Sequence, residues 1–224
     1  MITSSFVFSQ KEYVKQYDEN NKLTEEGWTQ NDLKEDYWFY YHKNGQIKSQ
    51  GEYKQNNKTG VWKSFNKYGV KSSEGNYTNS LKKGYWKFYY DSGIIIKEGH
   101  YKDDLKEGYW KNYYPNNKLK SIGMYRINLK TDYWIFYNEF GNKIEEGFYK
   151  KNLKDRYWKT YYPNGNFKEE GRFTNNKEQE YWYYFYENGN KKSEGHFFQG
   201  EKENWWIYYN EKELVTHKCQ LKNS

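Results

Sequence analysis

Recurrent glutamates are the residues of this sequence best suited to chemistry, because adjacent carboxylates can act as general acid and base. Two adjacent pairs, Glu145–Glu146 and Glu169–Glu170, lie 24 residues apart. Single glutamates keep the same register at Glu74, Glu98 and Glu194. A catalytic centre needs one asymmetric group of residues, whereas this pattern copies one carboxylate along the chain. We therefore expect these glutamates to be cross-strand partners of lysine rather than general acids.

Histidine and cysteine are the other residue types that could carry a site. The histidines share no ligand-like spacing; they are His42, His100, His196 and His217. The single cysteine, Cys219, excludes an internal disulfide and a cysteine-based metal site. No Walker-type loop, nucleophile elbow or paired metal motif occurs. The sequence predicts no metal and no other cofactor, and we interpret the chain as a non-enzyme.

The composition indicates a folded chain whose apolar surface consists mostly of rings. Hydrophobic residues make up only 35% of the 224 residues, yet aromatic residues reach 23%. Disordered segments lack aromatic residues, which also favour strands. The net charge of +7 comes almost entirely from lysine, since only Arg126, Arg156 and Arg172 are arginines. Weak attraction to acidic partners is expected, and sequence-specific binding of nucleic acid is disfavoured.

A period of 24 residues organises the whole chain. Tryptophan marks it without insertion or deletion at Trp38, Trp62, Trp86, Trp110, Trp134, Trp158, Trp182 and Trp206. Thirteen residues after each Trp, a glycine recurs at Gly51, Gly75, Gly99, Gly123, Gly147, Gly171 and Gly195. Rings recur three and fifteen residues after Trp, and a tyrosine precedes most of the tryptophans. Such self-similarity is typical of repeat architectures.

Each period predicts one antiparallel β-hairpin, so the fold class is all-β: a single elongated array of hairpins forming an open, twisted sheet or solenoid. The aromatic runs have strand composition, and Pro163-Asn164-Gly165 suits a hairpin turn with Gly at positive φ. A polar link, as at residues 103–108, would carry the chain to the next hairpin. Strand alternation places Trp and the ring three residues later on opposite faces. Whether Trp or its Tyr neighbour covers the glycine depends on the hairpin register, which stays open.

Both ends depart from the repeat, as capping units of a solenoid do. Residues 1–35 are predicted to be a degenerate N-terminal capping repeat and residues 36–204 seven 24-residue repeats. Residues 205–224 are predicted to be a truncated C-terminal capping repeat, in which Cys219 replaces the glycine and Leu221 the ring.

The units resemble the variant MORN repeat (membrane occupation and recognition nexus). The frame G-x-W-x-x-Y-x-x-x-G followed by E-G-x-Y is seen in GYWKFYYDSGIIIKEGHY (84–101) and GYWKNYYPNNKLKSIGMY (108–125), and the resemblance covers residues 13–221. It is similar to the bacterial YwqK-type antitoxin components, which implies a binding partner, possibly a toxin, and no catalytic residue set. The chain departs from the frame two residues before Trp, in what we interpret as links, at Asp36, Asp132, Arg156, Glu180 and Asn204.

We predict a protein-binding module whose partner is another protein, a toxin being one candidate. The alternatives are an aromatic ladder that binds a lipid headgroup, choline or a glycan, and a structural scaffold; open sheet ends are also compatible with a homodimer. Rings that do not repeat in every unit are the predicted partner-binding residues: Tyr40, Phe88, Tyr90, Phe136, Tyr184 and Tyr208.

The sequence shows neither a basic segment followed by an apolar run at its start nor a stretch of membrane-spanning length. We therefore expect a cytoplasmic protein.

Overall fold

Eighteen β-strands and no helix make up residues 10–221, the part of the chain that the computed structural model describes. The chain divides into two units, Met1–Leu105 and Lys106–Ser224. Within each unit every strand pairs antiparallel with the next one along the chain. The predicted all-β class with one repeated hairpin per 24 residues is confirmed. None of the described residues belongs to a helix long and apolar enough to cross a bilayer.

The first unit holds eight strands. They are β1 (Glu12–Tyr17), β2 (Leu23–Gln30), β3 (Leu33–Tyr41), β4 (Ile47–Lys54), β5 (Asn57–Phe65), β6 (Lys71–Thr78), β7 (Leu81–Tyr89) and β8 (Ile95–Lys102).

The second unit holds ten strands, the first of which begins at the last residue of the first unit. They are β9 (Leu105–Tyr113), β10 (Leu119–Arg126), β11 (Leu129–Tyr137), β12 (Lys143–Lys150), β13 (Leu153–Tyr161), β14 (Phe167–Thr174), β15 (Lys177–Phe185), β16 (Lys191–Phe198), β17 (Glu201–Tyr209) and β18 (Val215–Leu221). From β3 onward odd-numbered strands carry the tryptophan, and even-numbered strands up to β16 carry the glycine.

The turn after each tryptophan-bearing strand matches the sequence prediction. The amide of Tyr162 donates to Asn166 and that of Gly165 donates back to Tyr162, so Pro163, Asn164 and Gly165 form a three-residue hairpin loop. Gly165 has a φ of 92°, the left-handed conformation that this loop requires. Asn117 and Glu213, which replace the glycine in their units, adopt the same conformation with φ of 65° and 60°.

The predicted polar link between hairpins is wrong, because the chain makes a second tight turn there. Lys151 and Asn152 both have positive φ, and Lys150 pairs with Leu153 on either side of them. This is a two-residue hairpin of the I′ type. Asn152 also fastens the turn to the preceding one, since its side-chain oxygen accepts from the amide of Lys130 at 2.7 Å. In the segment 103–108 the turn is confined to Asp103 and Asp104, and strand β9 begins at Leu105.

The residue two before Trp lies inside the strand, not in a link as the sequence suggested. Gly147 pairs with Trp158 but Phe148 pairs with Asp155, so Arg156 and Tyr157 are extra residues on β13. This bulge needs a left-handed residue at its first position. Glycine supplies it in some units; elsewhere it is imposed on Asp36, Asp132, Arg156, Glu180 and Asn204, whose φ lies between 54° and 60°.

The bulge sets the register that the sequence left open: tryptophan covers the glycine. A Cβ built on Gly147 would lie 2.3 Å from Cδ2 of Trp158, and comparable distances to the following Trp hold at Gly27, Gly51, Gly75, Gly123, Gly171 and Gly195. The Trp158 indole N–H donates at 2.9 Å to the carbonyl of Phe148, the residue that follows Gly147. Glycine is required because the indole lies flat on its backbone.

The core is a ladder of rings on this face, which we call the tryptophan face. The repeated tryptophans are at most 3% exposed. Within each unit, rings fifteen residues after Trp stand edge-on to the neighbouring indoles; Tyr149, for example, lies 6.1 Å from Trp134 and 4.9 Å from Trp158. Edge-to-face contacts of this kind add to the burial of the rings. As predicted, the ring three residues after Trp lies on the opposite face.

The predicted capping repeats stay predictions, and they include residues 1–9 and 222–224, which lie outside the described residues. Their predicted limits, 35/36 and 204/205, fall inside β3 and β17 at the bulge before Trp. The described end strands lack the tryptophan–glycine pair. Val14 stands in β1 where other units have Trp, and Cys219 stands in β18 where other units have Gly.

We expect Arg156→Gly to raise the free energy of unfolding by about 0.5 to 1 kcal/mol. A non-glycine residue is strained in the left-handed conformation. Relief of that strain exceeds the entropy that Gly adds to the unfolded chain. Denaturant unfolding measures the change. The matched control, Arg126→Gly in β10, has no positive φ to relieve and should lower stability. A loss of stability in both variants would contradict the strain at the bulge.

Candidate binding surface

The recurrent glutamates lie on the face opposite the tryptophans, which we call the carboxylate face. Lys143 lies three residues before Glu146 on β12 and its Nζ is 2.7 Å from the carboxylate. Tyr161 on β13 donates its hydroxyl to the same carboxylate. The prediction of a cross-strand lysine partner is wrong for Glu146, because its lysine lies on the same strand. The tyrosine hydroxyl is a partner that the sequence analysis missed.

These contacts hold the carboxylates ionised. Burial disfavours the charge of Glu146, but hydrogen bonds from Lys143, Tyr161 and Tyr133 outweigh it and hold the pKa of that carboxyl below its usual value. Glu74 has the equivalent environment, and its pKa is lowered for the same reasons. A carboxylate that stays charged and hydrogen-bonded is a poor general acid, and this supports a structural role for the row.

Five of the predicted partner-binding rings lie on the tryptophan face and are half-buried. Phe88 stacks on Trp86 with 5.9 Å between ring centres, and Phe136 stacks on Trp134 at 5.8 Å. The same position holds Tyr40, Tyr184 and Tyr208. These rings extend the core, and their role in partner binding stays a prediction.

Tyr90, the sixth predicted residue, begins a hairpin turn. Its amide donates to Ile94 and its carbonyl accepts from Gly93. In the second unit, tyrosines at the same repeat position fasten successive turns: the hydroxyl of Tyr162 donates to the carbonyl of Phe185 at 2.9 Å. Partner binding by Tyr90 likewise stays a prediction.

The most regular exposed rings are instead the residues directly before Trp, at the second position of the bulge on the carboxylate face. In the second unit the exposed fraction is 63% for Tyr109, 40% for Tyr133, 61% for Tyr157, 56% for Tyr181 and 55% for Trp205. In the first unit the position holds Tyr37, Val61 and Tyr85, of which the last two are 51% and 41% exposed. We call these residues the outer ring row. Strand alternation could have predicted their exposure, because they precede a buried residue.

A groove in the second unit lies between two members of this row, Tyr157 and Tyr181. It has a volume of about 570 Å³ and is lined by Tyr157, Lys159, Glu170, Gly171, Glu180, Tyr181, Tyr183 and His196. We call it the Glu170 groove.

Lysines four residues before Trp cover the tryptophan face. Nζ of Lys58 lies 4.1 Å from the ring centre of Trp62, and Lys34 and Lys154 lie 4.0 and 4.3 Å above their indoles. Burial, with the charges of Lys82 and Lys34, lowers the pKa of Lys58. These ammonium groups are therefore engaged by rings, which leaves less of the net positive charge to attract phosphate.

Among residues 10–221 no three or more side chains of His, Cys, Asp or Glu are grouped so that they could hold a metal ion.

Together the fold and this surface define a repeat protein built from antiparallel hairpins. Five of its segments match the MORN repeat variant: residues 37–55, 82–103, 106–126, 157–175 and 181–199. These five segments are similar to MORN-variant repeats, which as a class are generally non-catalytic and serve in binding.

Other comparisons add little to this assignment. None of the curated proteins matches the chain. Similar chains occur in the crystal structures of TcdB2-TccC3-Cdc42 and TcdB2-TccC3, with 10% identity and TM-scores of 0.21 and 0.18. A third occurs in the Tc holotoxin pore of Photorhabdus luminescens, with 12% identity and a TM-score of 0.21. These matches cover 95%, 90% and 94% of this chain but only 14%, 14% and 15% of the others, and TM-scores this low define no shared fold.

Proposed function

We propose that this chain is a non-catalytic module that binds another protein through the outer ring row of its carboxylate face. One observation carries the proposal: large rings recur at a position where the fold leaves them mostly exposed. The core is complete without them, since it consists of the tryptophans, the edge-on rings and the glycines. Tyr133 packs on Phe148 and donates to Glu146, but Tyr157 makes no ring contact within residues 10–221, so packing alone does not account for a ring at this position.

The chemistry of the row suits a protein partner. Tyrosine and tryptophan offer large, rigid contact areas with a polar group, and they are enriched among the residues that dominate protein interfaces. Within each unit, successive members of the row are two strands apart, about 10 Å. This spacing lets an elongated partner surface contact several rings at once. The resemblance to YwqK-type antitoxin components makes a toxin the first partner to test.

The buried indoles favour a protein partner over an aromatic ladder for choline or glycans. A stacking ladder needs open ring faces. Here each indole lies on a glycine backbone and is at most 3% exposed, and lysine ammonium groups lie over the opposite face.

Replacing Tyr133, Tyr157 and Tyr181 together with serine should weaken capture of the partner by at least about 100-fold, because aromatic anchors supply most of an interface's free energy. Co-purification from the source cell identifies the partner, and titration with that partner measures the loss. A toxicity assay with a toxin encoded nearby tests the antitoxin role.

The matched control replaces three exposed rings outside the row, Tyr17, Tyr68 and Phe140, with serine, and it should bind normally. Full binding by the row variant, combined with loss on replacing Phe136 and Tyr184 with leucine, would move the binding surface to the tryptophan face.

A further inference from the structure

The recurrent glutamates of the carboxylate face, which we call the carboxylate row, have the same two kinds of partner, with one clear exception in the second unit. Glu146 is held by Lys143 on its own strand and by the hydroxyl of Tyr161 on the next strand. Glu194 is held in the same way by Lys191 and Tyr209. In the first unit Lys71 and Tyr89 hold Glu74. Each of these carboxylates thus has a cationic partner on its own strand and a hydroxyl partner on the next strand.

Glu170 lacks both partners. Phe167 stands where the rule places lysine, and Phe185 stands where it places tyrosine. The only ion pair of Glu170 within residues 10–221 is a long one, 3.6 Å from Lys159 Nζ to Oε2. No hydrogen-bond donor reaches its Oε1 in the described part of the chain. The side chain is 28% exposed, so this incompletely paired carboxylate can be reached from solvent.

Aromatic rings wall the groove above this carboxylate. Tyr157 and Tyr181, the two members of the outer ring row that flank it, are 61% and 56% exposed. The ring of Tyr181 contacts that of His196 edge-to-face, with 5.6 Å between ring centres, and stacks with that of Tyr183 at 6.3 Å. Tyr157 makes no contact with another ring or a cation among the described residues. Its ring is therefore available to a ligand.

The remaining charges at the groove leave Glu170 as the open acceptor. Glu180 at the mouth is paired with Arg172 at 2.8 Å. His196 contacts Glu203 at 2.9 Å. Lys159 is 41% exposed, and its Nζ also lies 4.8 Å from the ring centre of Phe167, so it can give up its long contact with Glu170 and stay against that ring.

We infer that the Glu170 groove binds a basic side chain, arginine or lysine, presented by the protein partner. The carboxylate accepts the N–H groups of the cation, and the faces of Tyr157 and Tyr181 stabilise its charge from the sides. The inference rests on the proposed function for the source of the cation. The groove itself can be tested without any partner.

The test is a nuclear magnetic resonance titration of the full chain with Nα-acetyl-arginine methylamide, and with the uncharged Nα-acetyl-citrulline methylamide as control probe. The arginine probe should produce saturable shifts of the Gly171 and Tyr181 amides, with a Kd on the order of millimolar for so small a ligand. The citrulline probe should not. Glu170→Gln should weaken binding of the arginine probe at least about fivefold, whereas Glu194→Gln, in the same row, should leave it unchanged.

A second variant keeps the inference falsifiable if Glu170→Gln disturbs the fold. Phe167→Lys with Phe185→Tyr restores both missing partners, so the variant should be at least as stable as the parent and should lose the arginine-probe shifts. Equal shifts with both probes, retained binding in this double variant, or no saturable shift at all would overturn the inference. If the parent chain binds the arginine probe but the variant of Tyr133, Tyr157 and Tyr181 still captures the partner, only the proposed function is overturned.

Discussion

Gly147→Ala is expected to cost about 3 kcal/mol of the free energy of unfolding, a large effect for the addition of one methyl group. The new Cβ would lie 2.3 Å from Cδ2 of Trp158. The indole cannot retreat, because its N–H is bonded to the carbonyl of Phe148 and its far edge packs on Tyr149. Denaturant unfolding followed by circular dichroism measures the loss.

A double-mutant cycle separates this clash from a general intolerance of alanine. Trp158→Ala alone should cost about 3 to 5 kcal/mol by removing a buried indole. If the clash is the cause, adding Gly147→Ala to that variant should cost almost nothing more. The control Gly165→Asn changes a glycine that has φ of 92° and no atom within 4 Å of a Cβ, and asparagine occupies that turn position at Asn117. Additive losses in the cycle would contradict the stacking of Trp158 on Gly147.

The second expected result is a steep loss of stability above pH 10. Burial, followed by the hydrogen bond to Glu146 and its charge, raises the pKa of Tyr133 to about 12. Burial and the charge of Glu145 raise that of Tyr149 to about 12. The hydrogen bond to Glu194, then burial, raises that of Tyr209 to about 12. The hydroxyls of Tyr89 and Tyr161 donate to carboxylates in the same way, and their pKa values are raised as well.

Stability falls at high pH because the folded and unfolded chains bind different numbers of protons. Between pH 10 and 12 the unfolded chain releases tyrosine protons that the folded chain retains, so stability is present below pH 10 and falls as pH rises. A fully buried tyrosine contributes about 1.4 kcal/mol per pH unit in this window. Solvent screening reduces that figure for Tyr133, which is 40% exposed. With many such tyrosines, we expect cooperative unfolding before pH 12.

Thermal melts from pH 8 to 12, with tyrosinate absorbance recorded in parallel, measure this loss. Tyrosinate should appear in step with unfolding rather than before it. Replacing Tyr149 and Tyr161 with phenylalanine should flatten the dependence, whereas replacing Tyr68, a turn residue 69% exposed, should not. Complete titration of the tyrosines in a chain that stays folded would contradict the predicted pH dependence.

The repeat and its two faces could be predicted from sequence because the 24-residue period is even and unbroken. The bulge could not. Its two extra residues, such as Arg156 and Tyr157, keep the period constant while they displace the pairing of the strands, so the spacing of the rings gives no sign of the bulge. The left-handed residue there is glycine in the repeat frame, and charged residues in its place were interpreted as links.

The candidate groove was partly within reach of the sequence. Comparison of residue 167 with Lys143 and Lys191, and of residue 185 with Tyr161 and Tyr209, shows that phenylalanine removes both partners of one glutamate. The meaning of that substitution depends on the contacts that Lys143 and Tyr161 make with Glu146, and those depend on the register. The sequence could therefore have located the exception, but not shown that it leaves a carboxylate open.

Val14 in β1 and Cys219 in β18 also affect how a further strand could add to the sheet. Suppose that a further tryptophan-bearing strand joined β18 in the repeat register. Its indole would meet Cys219, whose Cβ occupies the space that the indole takes above glycine in other units. Strand β1, with Val14 in place of tryptophan, brings no indole to such a contact. A second copy of the chain thus gains no tryptophan–glycine pair by adding to this edge.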